Sequence, residues 1–576
     1  MGSNFIYDYI IVGTGPAGAV IAKTLSDDKR TSVLVLEAGG NNDKDKPISD
    51  STMASELEEQ FFPQYFWQGE GVPQTGLDDR TFEWTTGRLM GGGSSINGEQ
   101  YVRPTSRVFK EWESLLGPLW SPNRAIQRFK RLEKYNGKTK NTLARGYHGR
   151  IDIRQAPVNP TSMAKKVVTA IERATGFPEI LDYNDPKTPI GPFTRWQLYQ
   201  NPNGRRESSS TAFLSSDILT PNGRGIDGRQ LRLFSDSTAL RVIFSNKRAS
   251  GVEFLKSGKR IIAHARKKVI IAAGINSAQL LMLSGIGSSK TLKEAGIRCV
   301  FHNPHVGRSL RNHTLNFAVF QSNPHDRPLP SNDPNALYTG GAFLPAPLEI
   351  DSKRRRAVQI LGIGSEDDTL TLGLIYLHPK SRGSIKIQNK DPLKIVLADE
   401  GFLDNPSDME AIKNIYKIYV KDIAAELNSI DPTYRLISPT LETIDDDIEL
   451  EQFIKENFDH NHHQQSSLRM APLRNGGVVD RRGHVHGVKN LIVADASIIP
   501  FTVDGNTSAA AYLIGYTIAK QIKRMIKGKR GGFEEDSKIA KNNQKRDCPA
   551  MPLTAIRAVS FHIVTGSSRL GFSLSL

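Results

Sequence analysis

The feature that most restricts how this chain folds lies at its start, where Tyr9-Ile10-Ile11-Val12 runs straight into Gly13-Thr14-Gly15-Pro16-Ala17-Gly18. A short apolar run bounded by glycine reads as a buried parallel strand. Gly13 permits a tight turn, Gly15 lets a pyrophosphate approach the backbone, and Gly18 lets the next helix pack closely on the strand. That helix, expected from about Pro16 to Leu25, aims its free amide groups and positive dipole end at the phosphates. Val33-Leu34-Val35-Leu36-Glu37 follows, placing an acid about 20 residues on, where its carboxylate accepts hydrogen bonds from ribose hydroxyls. The order strand, glycines, helix, strand, acid predicts an α/β chain of mixed α+β character, built on a Rossmann-like dinucleotide-binding domain. It does not say which dinucleotide.

With 576 residues the chain is long enough for two intimately connected domains with a substantial core. Its only cysteines, Cys299 and Cys548, provide neither a disulfide framework nor a cysteine-rich metal site. The first strand begins within a few residues of Met1, which leaves no room for a signal peptide. No uncharged apolar stretch approaches the ~20 residues of a membrane span. The expected protein is soluble and cytoplasmic, or associated with the virion if a large DNA virus encodes it. The formal net charge is +16, and the last 57 residues hold 12 Lys and Arg against 4 Asp and Glu. Residues 531–576 read as a disordered basic tail; contact with a polyanion, nucleic acid included, is the alternative use of that charge.

Later motifs identify the cofactor. Gly87-Arg88-Leu89-Met90-Gly91-Gly92-Gly93-Ser94-Ser95-Ile96-Asn97-Gly98 and Ala273-Gly274-Ile275-Asn276-Ser277-Ala278-Gln279-Leu280-Leu281-Met282-Leu283-Ser284-Gly285-Ile286-Gly287 resemble two signatures of the glucose–methanol–choline (GMC) oxidoreductase family. Gly477-Val478-Val479-Asp480 and Val493-Ala494-Asp495-Ala496-Ser497 resemble its C-terminal block. The resemblance runs from residue 5 to about residue 525, in order, and implies FAD. It also implies a discontinuous layout. FAD-binding segments span 5–155, 201–315 and 457–530, with a connecting segment at 156–200 and a substrate domain on an antiparallel sheet at 316–456. Within the last, His378–Ile387 reads as a strand turn and Asp408–Leu427 as a helix.

By the same resemblance, Gly91 belongs to a loop that passes close to a bulky ring system, Asn97 lies beside the flavin, and Leu240 contacts the adenine. Asp495 and the helix after Ser508 support the ribityl and pyrophosphate portion. Some relatives attach their flavin through a histidine at the position of Ile96, which has no nucleophile, so noncovalent FAD is expected. Alcohol oxidation requires a base within reach of the hydroxyl and ionising near the working pH. His463 aligns with the family's catalytic histidine, and Asn506 with its second polar residue. Flavin reduction is therefore expected to rise with pH through an imidazole-like ionisation. The implied substrate is a small primary alcohol, aryl or otherwise unsaturated, with O2 or a quinone as electron acceptor; the oligomeric state is left open.

One departure weighs against activity. Relatives have Gly-Thr where this chain has Ser466-Ser467, preceded by Gln464-Gln465; loss of the glycine restricts the backbone, and the glutamines add bulk near the base. Two alternatives to alcohol oxidation follow: a hydroxynitrile-lyase-like enzyme without a redox step, and a noncatalytic structural or nucleic-acid-associated use of the fold. A metal site among Asp459, His460, His462 and His463 is disfavoured, because adjacent histidines on a strand point to opposite faces.

Overall fold

The computed structural model describes residues 5–528 except 54–56, 58–59, 331–332, 335–337, 349–354 and 366. The tail at 531–576 lies outside the described residues.

The apolar run at the N-terminus forms the strand Phe5–Val12, whose last five residues are all buried. It lies between two parallel neighbours, Val33–Leu36 on one side and Lys259–Ile271 on the other. Leu231–Phe234 extends the parallel array beyond Val33–Leu36. The 13-residue strand Lys259–Ile271 has a double role on its outer edge. Its first half pairs antiparallel with Arg248–Lys256, whereas Val269–Ile271 pairs parallel with Leu491–Val493. Near-continuous burial along Ile10–Val12, Val33–Leu36 and Val269–Ile271 is what a parallel sheet covered on both faces demands. The sequence positions in this sheet fall at 5–36, 231–271 and 491–493.

A second seven-stranded sheet runs Arg435–Ser438, Thr314–Gln321, Thr369–Tyr376, Val358–Gly364, Gly341–Leu344, Gly191–Phe193, with Asp459–His460 added beside Thr314–Leu315. Its pairs are antiparallel. The period-2 alternation of strands sends successive side chains to opposite faces, and here both faces are covered. Ala318, Phe320, Ile360, Leu372 and Leu374 pack with Met163, Val167 and Ile171 of the helix Ser162–Thr175, and with Ile412, Tyr416 and Leu427. The neighbouring residues Leu361 and Ile375 face the other way, toward Tyr338, Trp196 and Phe343. The helix expected over 408–427 is one helical run from Pro406 to Ile430, with a wider π turn at Ile415–Val420. The segment at 378–387 contributes Gly383–Lys386 to a separate three-stranded sheet with Arg308–Leu310 and Leu397–Asp399. Among the described residues no helix is long and apolar enough to cross a membrane.

Candidate active site

The carboxyl ends of the parallel strands open into a cavity of about 530 Å³, the place where open α/β sheets bind ligands. Gly13, Thr14, Gly15, Glu37, Asn97, Asp495, His463 and Asn506 all line it. The three glycines differ in what they permit. Gly13 has φ +94°, and a Cβ there would meet the Ala272 carbonyl oxygen at 2.4 Å. A Cβ on Gly18 would meet the Gly13 carbonyl oxygen at 2.2 Å, so this glycine lies against the strand and not against the cavity. A Cβ on Gly15 would find nothing within 4 Å. It would project into the cavity instead.

Thr14 is a residue the sequence reading passed over. Its hydroxyl donates to Glu37 Oε2 at 2.6 Å and accepts from the Gly91 amide at 3.1 Å, which ties three separate segments together. Glu37 also accepts from the amides of Thr14 and Gly39, at 3.0 Å each. The Ala38 amide also bonds to this carboxylate, so about four acceptor positions are engaged within the chain. Burial raises the Glu37 pKa against the lowering effect of these bonds. Gly91 itself is not among the cavity-lining residues, but Gly92 and Gly93 are. At φ +91° Gly91 makes the bend, and a Cβ would fall 2.1 Å from Ser95 Oγ. Leu240 is likewise absent from the lining and lies buried in the core, while Thr238 and Ala239 face the cavity. The register shift between Ala239 and Arg241 sets which side chains of that strand point there.

Asp495 lines the cavity with a carboxylate that is already saturated. Its Oδ1 accepts from the Ser497 amide and hydroxyl, and its Oδ2 from the Gly274 amide and the Ser277 hydroxyl. It holds the Gly274 turn against the Ala496 turn, shaping the cavity wall. Asn97 is similarly fixed: its Oδ1 accepts from the Glu99 amide at 3.1 Å and from Arg206 at 3.0 Å.

At the other end of the cavity, His463 Nε2 lies 3.0 Å from Asn506 Nδ2. Behind it, His463 Nδ1 lies 2.9 Å from Nδ1 of His313, a buried histidine at the start of the strand Thr314–Gln321. Asn312 Oδ1 accepts from the backbone amides of both histidines, at 2.9 Å for His313 and 2.8 Å for His463. Burial, with the His313 and His462 rings nearby, holds the His463 pKa well below its ordinary value of 6.5. Burial therefore favours the neutral imidazole and shifts the ionisation expected from sequence toward lower pH. His462 and His463 are not on a strand: His462 has φ +49°, and both residues line the cavity. The bend defeats the opposite-faces argument, yet among the described residues no group of three or more His, Cys, Asp or Glu can hold a metal ion.

The unusual Gln464–Ser467 segment is accommodated. Ser466 adopts the glycine-like φ of +70°, at a cost of about 1–2 kcal/mol. Gln465 is fully buried and acts as a bridge, donating to the His463 carbonyl at 3.2 Å and accepting from the Val503 amide at 3.1 Å. Arg356 also holds the loop that carries Asn506, donating to the carbonyls of Asp504 and Arg103.

A mixed sheet whose parallel strands end at a glycine-lined cavity, with a histidine–asparagine pair at the far end, fits the class of dinucleotide-dependent oxidoreductases. The chain belongs to the GMC oxidoreductase family: its N-terminal model matches residues 7–315 and its C-terminal model residues 379–515. It is 31% identical to an uncharacterized GMC-type oxidoreductase of Mycobacterium bovis, over 90% of this chain and 99% of the relative. It is 29% identical to alcohol dehydrogenase [acceptor] of Pseudomonas putida, over 90% of this chain and 96% of the relative. Among solved structures, pyridoxine 4-oxidase from Mesorbium loti superposes with a TM-score of 0.79 at 24% identity, covering 90% of this chain and 99% of that one. FAD fits the cavity on two counts: the bare Gly15, and the beginnings of the helices Pro16–Ser26 and Thr507–Gly528 in the lining.

Proposed function

We propose that this chain oxidises an uncharged primary alcohol to an aldehyde, with the hydroxyl proton going to His463 Nε2 and the carbon-bound hydride to FAD. The observation that carries this reading is the 3.0 Å pair of His463 Nε2 and Asn506 Nδ2, in the wall of the cavity that the glycine loop also lines. Bound FAD, noncovalent because Ile96 has no nucleophile, supplies the hydride acceptor.

The residues of the chain do the rest. On binding, the alcohol hydroxyl takes the place of the Asn506 amide at His463 Nε2, donating to that nitrogen and accepting from the amide it displaces. The low pKa of His463 means that the base is free of a proton before substrate arrives. Asn506 limits the wandering of the hydroxyl, which raises the fraction of productive encounters. Leu361 and Ile375 from the antiparallel sheet, with Tyr338 just ahead of the strand Gly341–Leu344, supply apolar lining. The three acids among the described lining residues are all engaged. Glu37 and Asp495 are bound as above, and Glu99 accepts from Ser51 and Gln200 and pairs with Arg206. Such a wall favours an aryl or unsaturated alcohol over a cationic one, since an apolar surface solvates a charge poorly.

The test is anaerobic: the purified protein is mixed with benzyl alcohol, 1-butanol and choline while its flavin spectrum is followed. Bleaching fastest with benzyl alcohol is expected. A flavin that none of the three bleaches sinks the proposal, and preferential bleaching by choline sinks the argument from the lining.

A further inference from the structure

His313 has no counterpart in the reasoning that finds the base, yet it fixes the state in which the base is held. Its Nε2 lies 2.9 Å from the Val503 carbonyl oxygen, and its Nδ1 lies 2.9 Å from His463 Nδ1. A carbonyl oxygen only accepts, so His313 Nε2 must carry a hydrogen. In the neutral ring this leaves His313 Nδ1 bare. The single proton between the two Nδ1 atoms therefore belongs to His463. With its proton on Nδ1, neutral His463 has a bare Nε2, the correct partner for a donating Asn506 amide. One assignment satisfies all three contacts.

The other assignments fail on the same geometry. A proton on His463 Nε2 would leave two bare nitrogens facing each other at 2.9 Å, and turning over the Asn506 amide would not relieve that repulsion. A bare His313 Nε2 would face the lone pairs of the Val503 oxygen. A doubly protonated His313 would be a cation in a fully buried site whose charged form is disfavoured by desolvation and by His378. The groups facing this pair are His462 toward His463, and His378 and Asp504 toward His313. His378 is itself held down to about 3 by burial. The Asp504 carboxylate is engaged by the Thr105 amide and hydroxyl.

We propose that His313 is a positioning residue that selects the Nδ1–H tautomer of His463 and so presents a bare Nε2 to the substrate hydroxyl. This rests on the reading of His463 as the base. His313 fixes the tautomer as a carboxylate does behind a catalytic histidine elsewhere, but as a neutral partner that leaves the resting base uncharged.

The experiment reads the tautomer directly and does not depend on turnover. The FAD-loaded protein is labelled with ring-¹⁵N histidine, and His463 signals are identified by their disappearance in His463→Gln. The expected spectrum has a protonated Nδ1 and a bare Nε2 for His463. In His313→Leu, which removes the acceptor at similar bulk, the two forms should mix or invert. In His313→Asn, whose Oδ1 restores an acceptor near the same place, the wild-type form should return. Flavin reduction by benzyl alcohol should slow at least about 10-fold in His313→Leu and recover in His313→Asn, and neither change should slow a protein already carrying His463→Gln. A wild-type His463 protonated on Nε2, or a tautomer unaltered by His313→Leu, overturns the proposal. Wild-type flavin reduction by His463→Gln would instead overturn the assignment of the base and leave the tautomer result standing.

Discussion

The two ends of the cavity are built from different materials. The nucleotide end is made largely of backbone: glycines at 13, 15 and 18 within one short segment, a helix start, and one acid from the next strand. The histidine end is made of side chains from distant parts of the chain. His313 and His463 are 150 positions apart, and Gln465 reaches Val503 across 38. A backbone site tolerates almost any side chain that stays out of the way and fails abruptly when one does not. A side-chain site degrades by steps, one hydrogen bond at a time.

The largest contrast is expected within the glycine loop itself. Gly18→Ala places its methyl 2.2 Å from a backbone oxygen that cannot retreat without moving the strand, so chemical denaturation should show a loss of about 3 kcal/mol. Gly15→Ala has open space and should leave the fold intact while lowering flavin content after gel filtration. Equal stability of the two variants would break the distinction between packing and ligand glycines. At the other end, Gln465→Leu leaves the Val503 amide and the His463 carbonyl without that partner. A cost of about 1–3 kcal/mol is expected, together with slower flavin reduction. Full-speed reduction in that variant would show that the bridge holds the fold and not the base.

Much of the nucleotide end was legible in sequence because its determinants are local. Strand period, glycine spacing and the acid after the second strand are all features of one 30-residue unit. What escaped there was geometry that depends on register: Leu240 turns into the core while Ala239 faces the cavity, and Thr14 carries the cross-links between segments. At the other end His463 and Asn506 were singled out through resemblance, and the structure places both in the cavity wall, but their surroundings were not legible. Nothing near His463 in the chain announces His313, since that contact is created by the pairing of Asp459–His460 with the beginning of Thr314–Gln321. For Gln464-Gln465-Ser466-Ser467 the structure shows the restricted backbone expected from the sequence, as φ +70° at Ser466, and adds two partners for Gln465 that the sequence did not announce.

That strain makes the smallest prediction. Ser466 holds φ +70° with a buried hydroxyl that finds no partner. Ser466→Gly relieves both, and should raise stability by about 1 kcal/mol with little change in the reduction rate. A destabilised variant would mean that the serine has a role beyond filling the position.

The account as a whole depends on one neutral imidazole. Because burial and the His313 and His462 rings keep His463 well below 6.5, its acid limb lies below that value, and the rate of flavin reduction should be flat from about pH 6.5 upward through neutrality. Stopped-flow reduction by benzyl alcohol without oxygen, over that range, tests this in the wild type and in His463→Ala. The expected result is a level wild-type profile and a variant about 100-fold slower or more, with its FAD retained because the glycine loop is untouched. Reduction by His463→Ala at the wild-type rate, or a wild-type rate that climbs through an ordinary imidazole ionisation near 6.5, would contradict it.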